Sequence, residues 1–280
     1  MRHLKAVALV ATLALALLAT PAQAGRLRIV FAGQSSPGNL DIFSVDPSGS
    51  GRQKVTSGPA DDTFPALSPA RDAVVFTRDA PNGARRLFTV SPSGTGPHAV
   101  PNTLDGGAPS WSPDGARIAF DTSHGDGPGG IYTIAPAGGA RTQVTDGPDD
   151  ATPDWSPDSK SIVFARHGQL WRVKTDGTHL KKLTANGLQP AWQPNGKHIA
   201  FVRDADGSGP GKALALFAMN PNGSGVQKLT SKAQRPAWEP NSRHIAYATS
   251  AGGGSKIRTI LFGALNPRST LVTAGLTPAW

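Results

Sequence analysis

The sequence contains no cysteine and no run with helical hydrophobic periodicity, and each absence excludes a class of protein. Without cysteine the chain has no disulfide, no lipid-anchored cysteine at a mature start, no thiolate metal site and no cysteine nucleophile. An exported chain of this kind must be held together by its hydrophobic core, which roughly 255 residues can supply. Short apolar runs separated by Gly- and Pro-containing turns indicate an all-β fold.

Long apolar runs are also missing, except at the N-terminus. A charged start at residues 2–5 precedes an apolar stretch at 6–19 and a small-x-small sequence at Ala22–Ala24. This pattern predicts a signal peptide over residues 1–24, cleaved near Ala24-Gly25, followed by one domain over 25–280. The apolar stretch is shorter than the roughly 18 residues of a membrane span. We therefore expect a secreted or periplasmic protein without a membrane span.

Acidic residues are outnumbered by basic ones. Without Arg2 and Lys5 the chain has 26 basic and 19 acidic residues, a net charge of +7. Export and the lack of a basic patch interleaved with aromatic residues argue against nucleic acid as a partner. The charge is typical of a solvated basic rim, and it also suits attraction to anionic polymers of the cell envelope.

A short aromatic run recurs six times along the chain. Its copies read RIVF, AVVF, RIAF, SIVF, HIAF and HIAY. Five of them follow a proline-containing segment and a turn: FPALSP, APSWSPDG, TPDWSPDS, QPAWQPNG and RPAWEPNS. The sixth such segment does not precede Arg28–Phe31 but occurs at Thr277–Trp280. This split repeat predicts a closed ring.

Each repeat contains four strand-sized segments, which we name A to D. In the third repeat they are Pro109–Trp111, Arg117–Phe120, Ile131–Ile134 and Arg141–Thr145. The strand A tryptophans follow one another at intervals of 44, 37, 46 and 42 residues, the period of a β-propeller blade. We predict a six-bladed β-propeller of four-stranded blades, closed by pairing of the C-terminal strand A with the N-terminal strand B. The strand A tryptophans are predicted to fill the space between blades.

The string at Pro109–Phe120, repeated at Pro153–Phe164, resembles the TolB-like propeller repeat, a relative of the WD repeat. The resemblance extends over essentially all of residues 25–280. It implies a propeller, because the shared residues belong to turns and core. Prolyl oligopeptidase-type enzymes add an α/β-hydrolase domain to such a propeller, and this sequence has no Gly-x-Ser-x-Gly motif for one.

Candidate binding residues fall in the B–C and D–A loops, which vary between repeats, whereas the A–B and C–D turns are uniform. The D–A loops are predicted to ring the mouth of the central channel, acidic on one half and neutral to basic on the other. The candidates in these loops are Asp61, Asp62, Asp105, Asp149, Asp150, His124, His167 and Arg235, and Asp154 in strand A is added to them.

Three alternatives remain for these residues. The carboxylates, above all Asp62 and Asp150, could hold a hard cation such as Ca²⁺, although the sequence has no dense Asp-x-Asp loop and we predict no obligatory cofactor. They could serve a propeller lyase or hydrolase together with His124 or His167, or the chain could be an accessory subunit of a separate catalytic chain. We favour a non-catalytic scaffold, a monomer, that binds an envelope protein or anionic envelope polymer through the B–C/D–A loop face.

Overall fold

A computed structural model describes residues 27–122, 129–205, 214–251, 254–263 and 269–280. These residues form 24 strands in six separate four-stranded antiparallel sheets. Each sheet is one blade, and its strands run from A at the central channel to D at the outer rim. Among the described residues, no helix has the length and apolar character needed to cross a membrane.

The strands are numbered in chain order. Those of the first three blades are β1 (Ile29–Ser36), β2 (Asn39–Val45), β3 (Gln53–Lys54), β4 (Asp61–Leu67), β5 (Val74–Asp79), β6 (Arg85–Val90), β7 (His98–Ala99), β8 (Gly107–Trp111), β9 (Ile118–Asp121), β10 (Ile131–Ile134) and β11 (Thr142–Gln143). The remaining strands are β12 (Ala151–Trp155), β13 (Ser161–Arg166), β14 (Gln169–Lys174), β15 (Lys181–Thr184), β16 (Leu188–Trp192), β17 (Ile199–Asp204), β18 (Leu214–Met219), β19 (Gln227–Ser231), β20 (Gln234–Trp238), β21 (His244–Ala251), β22 (Gly254–Leu261), β23 (Ser269–Ala274) and β24 (Leu276–Ala279).

Blade 1 joins the two ends of the described chain. Its strand order is β24-β1-β2-β3, whereas blades 2 to 6 each use four consecutive strands. The pairing of β24 with β1 brings Ala279 opposite Val30 and Leu276 opposite Ala32. The predicted six-bladed propeller and its closure by the C-terminal strand A are thereby confirmed.

Strand A carries a buried proline in every blade, and this explains its place at the inner edge. Proline has no backbone N–H and is therefore confined to sheet edges or bulges. The A–B register shifts at or beside the proline in each blade, for example between Thr63 and Ala66 in blade 2. The same irregularity occurs between Ala151 and Asp154 in blade 4. The bulge bends the chain where it borders the channel.

The hydrophobic core is divided among the six joints between blades. Each cluster of buried side chains draws on two adjacent blades; Phe76 of blade 2, for example, packs in one cluster with Val30 and Ile42 of blade 1. Phe31 of blade 1 packs in another with Ala246 and Ile257 of blade 6. The joint that closes the ring therefore has a core like the five joints within the chain. The stability of each blade depends on both neighbours.

A glycine in the C–D turn lets each of five blades approach the preceding one. In blade 1, a Cβ on Gly49 would lie 2.4 Å from the Val272 oxygen of blade 6. In blade 5, a Cβ on Gly223 would lie 2.3 Å from the Leu183 oxygen of blade 4. These glycines also have φ values of +85° and +94°, which other residues rarely adopt. Gly94 approaches the Val55 oxygen of blade 1 in the same way, Gly177 approaches the Val144 oxygen of blade 3 less closely, and Gly138 approaches the Pro101 side chain that follows blade 2.

Candidate functional site

The channel holds a cavity of about 490 Å³ to which every blade contributes. Its wall consists of the x-Pro-x-Trp segments of strand A, with Leu67 in place of Trp in blade 2. The wall continues onto the A–B turns through prolines such as Pro113 and Pro157. A volume of this size is typical of ligand-binding pockets. The cavity is therefore the candidate functional site.

The residue before each strand A proline forms a ring around this cavity. All six have positive φ, between 43° and 52°, although none is glycine. Such values are disfavoured for any side chain and most of all for the β-branched threonines. Conformational strain of this kind persists only where the surrounding structure enforces it. The ring consists of Phe64, Ala108, Thr152, Gln189, Arg235 and Thr277.

Arg235 reaches across this ring. Its guanidinium carbon lies 4.1 Å from the centre of the Phe64 ring, although Arg235 belongs to blade 6 and Phe64 to blade 2. The backbone N–H of Arg235 donates to Gln189 Oε1 at 2.8 Å. Burial lowers the pKa of Arg235 to about 10, and the charge of Asp121 opposes this shift. The cation and the aromatic ring thus form a bridge over blade 1.

Asp154 is the carboxylate of the cavity wall. Asp154 accepts a hydrogen bond from Ser110 Oγ of blade 3 at 2.8 Å. It accepts a second one from the backbone N–H of Trp192 in blade 5 at 2.6 Å. Burial raises its pKa to about 6, while these hydrogen bonds oppose the shift. The side chain therefore connects three blades and titrates within the range of environmental pH.

Tryptophan side chains couple neighbouring blades along the wall. The indole N–H of Trp111 donates to the Ala66 oxygen at 3.2 Å, and that of Trp238 to the Ala191 oxygen at 3.0 Å. Trp155 makes the equivalent bond to blade 3. Trp155 and Trp238 are buried, as a core role requires, whereas Trp192 is partly exposed in the cavity wall. These residues pack the joints and line the site at once.

Asp62 and Asp150 are not free at the channel mouth. Both oxygens of Asp62 accept from Arg78, at 2.7 and 2.8 Å, and the carboxylate is almost completely buried. Both oxygens of Asp150 accept from Arg166, at 2.5 and 2.7 Å, and Thr145 Oγ1 also donates to it. Asp62 at the start of strand A and Asp150 just before strand A are each tied in this way to strand B of the same blade. Their geometry is that of structural ion pairs.

The other predicted acids lie outside the cavity wall. Asp61 accepts from the Leu40 N–H of blade 1 at 2.7 Å. Asp149 and His167 form an exposed pair, with 3.0 Å between Oδ2 and Nδ1. Asp105 has a positive φ of 62° in a D–A turn, where its N–H donates to the Arg85 oxygen. His124 lies outside the described residues.

The predicted residues are thus not brought together as one site. Of the predicted residues that the structure describes, only Asp154 and Arg235 line the cavity, and the described wall extends towards the A–B turns, not the B–C/D–A loops. Within the described ranges, no three His, Cys, Asp or Glu side chains are grouped as a metal ion would require. Sequence reasoning missed the pre-proline ring. Its signal was the variable letter ahead of the proline in FPAL, APSW, TPDW, QPAW, RPAW and TPAW.

The architecture defines the class of protein: a six-bladed, WD-like β-propeller with a cavity in its channel. The description "TolB beta propeller domain" matches residues 95–280, so the chain belongs to the TolB β-propeller domain family. A comparison with curated proteins finds no match.

Solved structures share the fold. TolB from Acinetobacter baumannii aligns with a TM-score of 0.78 at 22% identity, covering 90% of this chain and 66% of that one. A putative TolB from Agrobacterium tumefaciens aligns at 0.60 and 24% identity, covering 72% and 80%. A chain of a nidogen/laminin complex aligns at 0.71 and 12% identity, covering 90% and 97%. The chain thus spans just under two thirds of the Acinetobacter protein's length.

Proposed function

We propose that this protein is an exported, non-catalytic scaffold that binds a protein of the cell envelope in its channel cavity. The carrying observation is the pre-proline ring, in which one strained backbone conformation repeats six times while the side chains differ. A rigid frame that presents varied side chains towards a cavity is the usual construction of a recognition site. Membership of the TolB β-propeller family supports a periplasmic-type binding role.

The cavity also supports the proposal through its unsatisfied groups. Five buried polar atoms of the wall have no hydrogen-bond partner among the described residues, whereas most buried polar atoms in proteins have one. They belong to Arg71, Thr152, Trp192, Thr277 and Trp280. We therefore move the proposed binding surface from the B–C/D–A loops to the cavity and the A–B turns around it.

The test is capture of a partner from envelope extract by the immobilised protein and two variants. Ala108→Phe narrows the cavity. The backbone at position 108 accommodates phenylalanine, because Phe64 at the equivalent position of blade 2 has a similar φ, 50° against 43°. Gln143→Phe adds the same side chain on the exposed outer strand of the same blade. We expect a partner captured by the wild type and by Gln143→Phe but lost with Ala108→Phe. Equal capture by all three proteins contradicts the proposal.

A further inference from the structure

Arg235 is a partly buried cation without a carboxylate partner within ion-pair distance in the described part of the chain. Its guanidinium is held over Phe64, and its backbone N–H, not its side chain, makes the bond to Gln189. Removing a charge from water costs free energy unless an opposite charge or hydrogen bonds compensate. Here desolvation dominates the lowered pKa, so the protein itself compensates the charge only in part.

Arg71 is a second cation of the same cavity. It occupies the fourth place of the A–B turn of blade 2, where the other described A–B turns have Gly115, Ser159, Gly196 and Ser242. Its φ of 61° is left-handed, which favours the small residues found elsewhere. Its Nη1 is buried without a hydrogen-bond partner among the described residues. Neither the turn nor the local packing therefore accounts for an arginine at this place.

Other arginines of the chain are treated differently. Arg78 and Arg166 each donate two hydrogen bonds to a buried aspartate. Arg28 pairs with Asp46 at 3.2 Å, and Arg85 pairs with Asp79 at 2.6 Å. The two cavity arginines thus stand apart from those that hold the blades together. A carboxylate brought by a ligand would supply the missing partner, with the planar geometry that guanidinium groups prefer.

We propose that the cavity selects an acidic segment of the partner protein, with Arg235 binding a carboxylate and Arg71 acting at the cavity edge. This inference rests on the proposed function and names the chemistry of its ligand. The wall is otherwise rich in proline and tryptophan and already contains Asp154. Those features suit a mostly apolar peptide with one or two carboxylates. An anionic polymer carries a charge on every unit. Its binding would place several of these negative charges against the apolar wall and beside the Asp154 carboxylate, which is unfavourable.

The test uses two pools of ten-residue peptides built from Ala, Pro, Gly and Leu, one containing two Asp and the other two Asn at the same places. Binding is measured by calorimetry to the full protein and to Arg235→Gln. We expect the Asp pool to bind the wild type about 10-fold or more tightly than the Asn pool, and Arg235→Gln to lose that preference. Equal binding of the two pools, no binding of either, or an unchanged preference in Arg235→Gln overturns the inference.

Arg52→Gln is the matched control, because Arg52 also lies 4.1 Å from an aromatic centre, that of Phe43, but is exposed and outside the cavity wall. It should keep the wild-type preference. If Arg235→Gln does not fold, Arg71→Gly replaces it, since glycine is found at the same turn position in two other blades. Arg71→Gly should weaken the preference for the Asp pool over the Asn pool at least 3-fold. An unchanged preference overturns the inference.

Polygalacturonate, an anionic polymer, is the third probe. If the protein binds polygalacturonate but does not prefer the Asp pool to the Asn pool, the cavity binds an anionic polymer and the inference is overturned. The capture experiment separates the two proposals. A partner lost with Ala108→Phe but retained by Arg235→Gln leaves the scaffold function standing and removes its acidic specificity.

Discussion

Val30 and Ala279 lie opposite each other in blade 1, although 249 positions separate them in the sequence. Deletion of residues 276–280 removes this pairing and uncovers the inner edge of β1. It also exposes the core shared by Val30, Ala32 and Ile42. We expect the melting temperature to fall by roughly 10 °C or more, since each kcal/mol shifts it by about 2–4 °C in a domain of this size. A truncated protein that melts like the full chain contradicts the closure.

Gly223→Ala tests the close approach between blades. The added Cβ would meet the Leu183 oxygen at 2.3 Å at a left-handed backbone position. Gly115→Ala is the matched control, because Gly115 also has a positive φ of +71° but no atom within 4 Å of the added Cβ. We expect Gly115→Ala to cost about 1 kcal/mol and Gly223→Ala about 3 kcal/mol or more. Urea denaturation measures both, and equal losses would mean that the joint adapts freely.

Removal of Arg78 tests the role of Asp62 at the start of strand β4. Arg78→Met leaves Asp62 buried without its partner, which typically costs about 3–5 kcal/mol. Arg85→Met removes the partner of Asp79 in a pair about one third exposed, which typically costs about 0–1 kcal/mol. The double variant Asp62→Asn/Arg78→Met should recover much of the first loss. If the two single variants are equally stable, Asp62 is not a structural anchor.

We expect Asp154→Asn to raise the free energy of unfolding relative to the wild type by an amount that depends on pH. The folded-state pKa of about 6 lies above the ordinary value of 3.8, so the folded protein holds a proton that the unfolded chain releases. The wild type therefore loses free energy of unfolding between about pH 4 and pH 6, by at most about 3 kcal/mol, relative to the variant. Asparagine can keep both contacts by accepting from Trp192 N–H and donating to Ser110 Oγ. Urea midpoints at pH 4, 5, 6 and 7.5 check this, and a pH-independent difference contradicts it.

Calcium should leave the stability of the protein unchanged. The Asp62 and Asp150 oxygens that the sequence offered as ligands are already occupied by arginine donors. We expect equal melting temperatures after dialysis against chelator and after addition of Ca²⁺. A rise on addition of Ca²⁺ restores the cation hypothesis and places the site elsewhere on the chain.

The sequence predicted the blades better than the chemistry of the loops. Proline, turn residues and the tryptophan interval indicated the ring because they recur in every repeat. Strand D was predicted too long: Arg141–Thr145 in blade 3 contains only β11 at Thr142–Gln143. The outermost strand pairs on one side only, so little holds its ends in register.

The acidic pairs were predicted to lie at the channel mouth, and the prediction did not indicate that Asp62 and Asp150 bind arginines. Their partners lie 16 residues further on, Arg78 after Asp62 and Arg166 after Asp150, and this shared interval was a sign of a repeated structural pair. No comparable sequence interval indicated the contact of Arg235 with Phe64. These residues belong to blades 6 and 2, and blade 1 lies between them. Contacts across the channel depend on ring closure and on side-chain length. A local sequence pattern therefore does not predict them.

The contact of Gly49 with Val272 has a consequence for how such rings can be rearranged. It joins blade 6 to blade 1 in the same way that Gly223 and Leu183 join blades that follow each other in the chain. The folded ring therefore does not distinguish a covalently continuous joint from the one between its ends. Circularly permuted chains, opened in another D–A loop and linked between the present ends, should assemble the same six joints. Blade order, not the point at which the chain starts, is what the fold encodes.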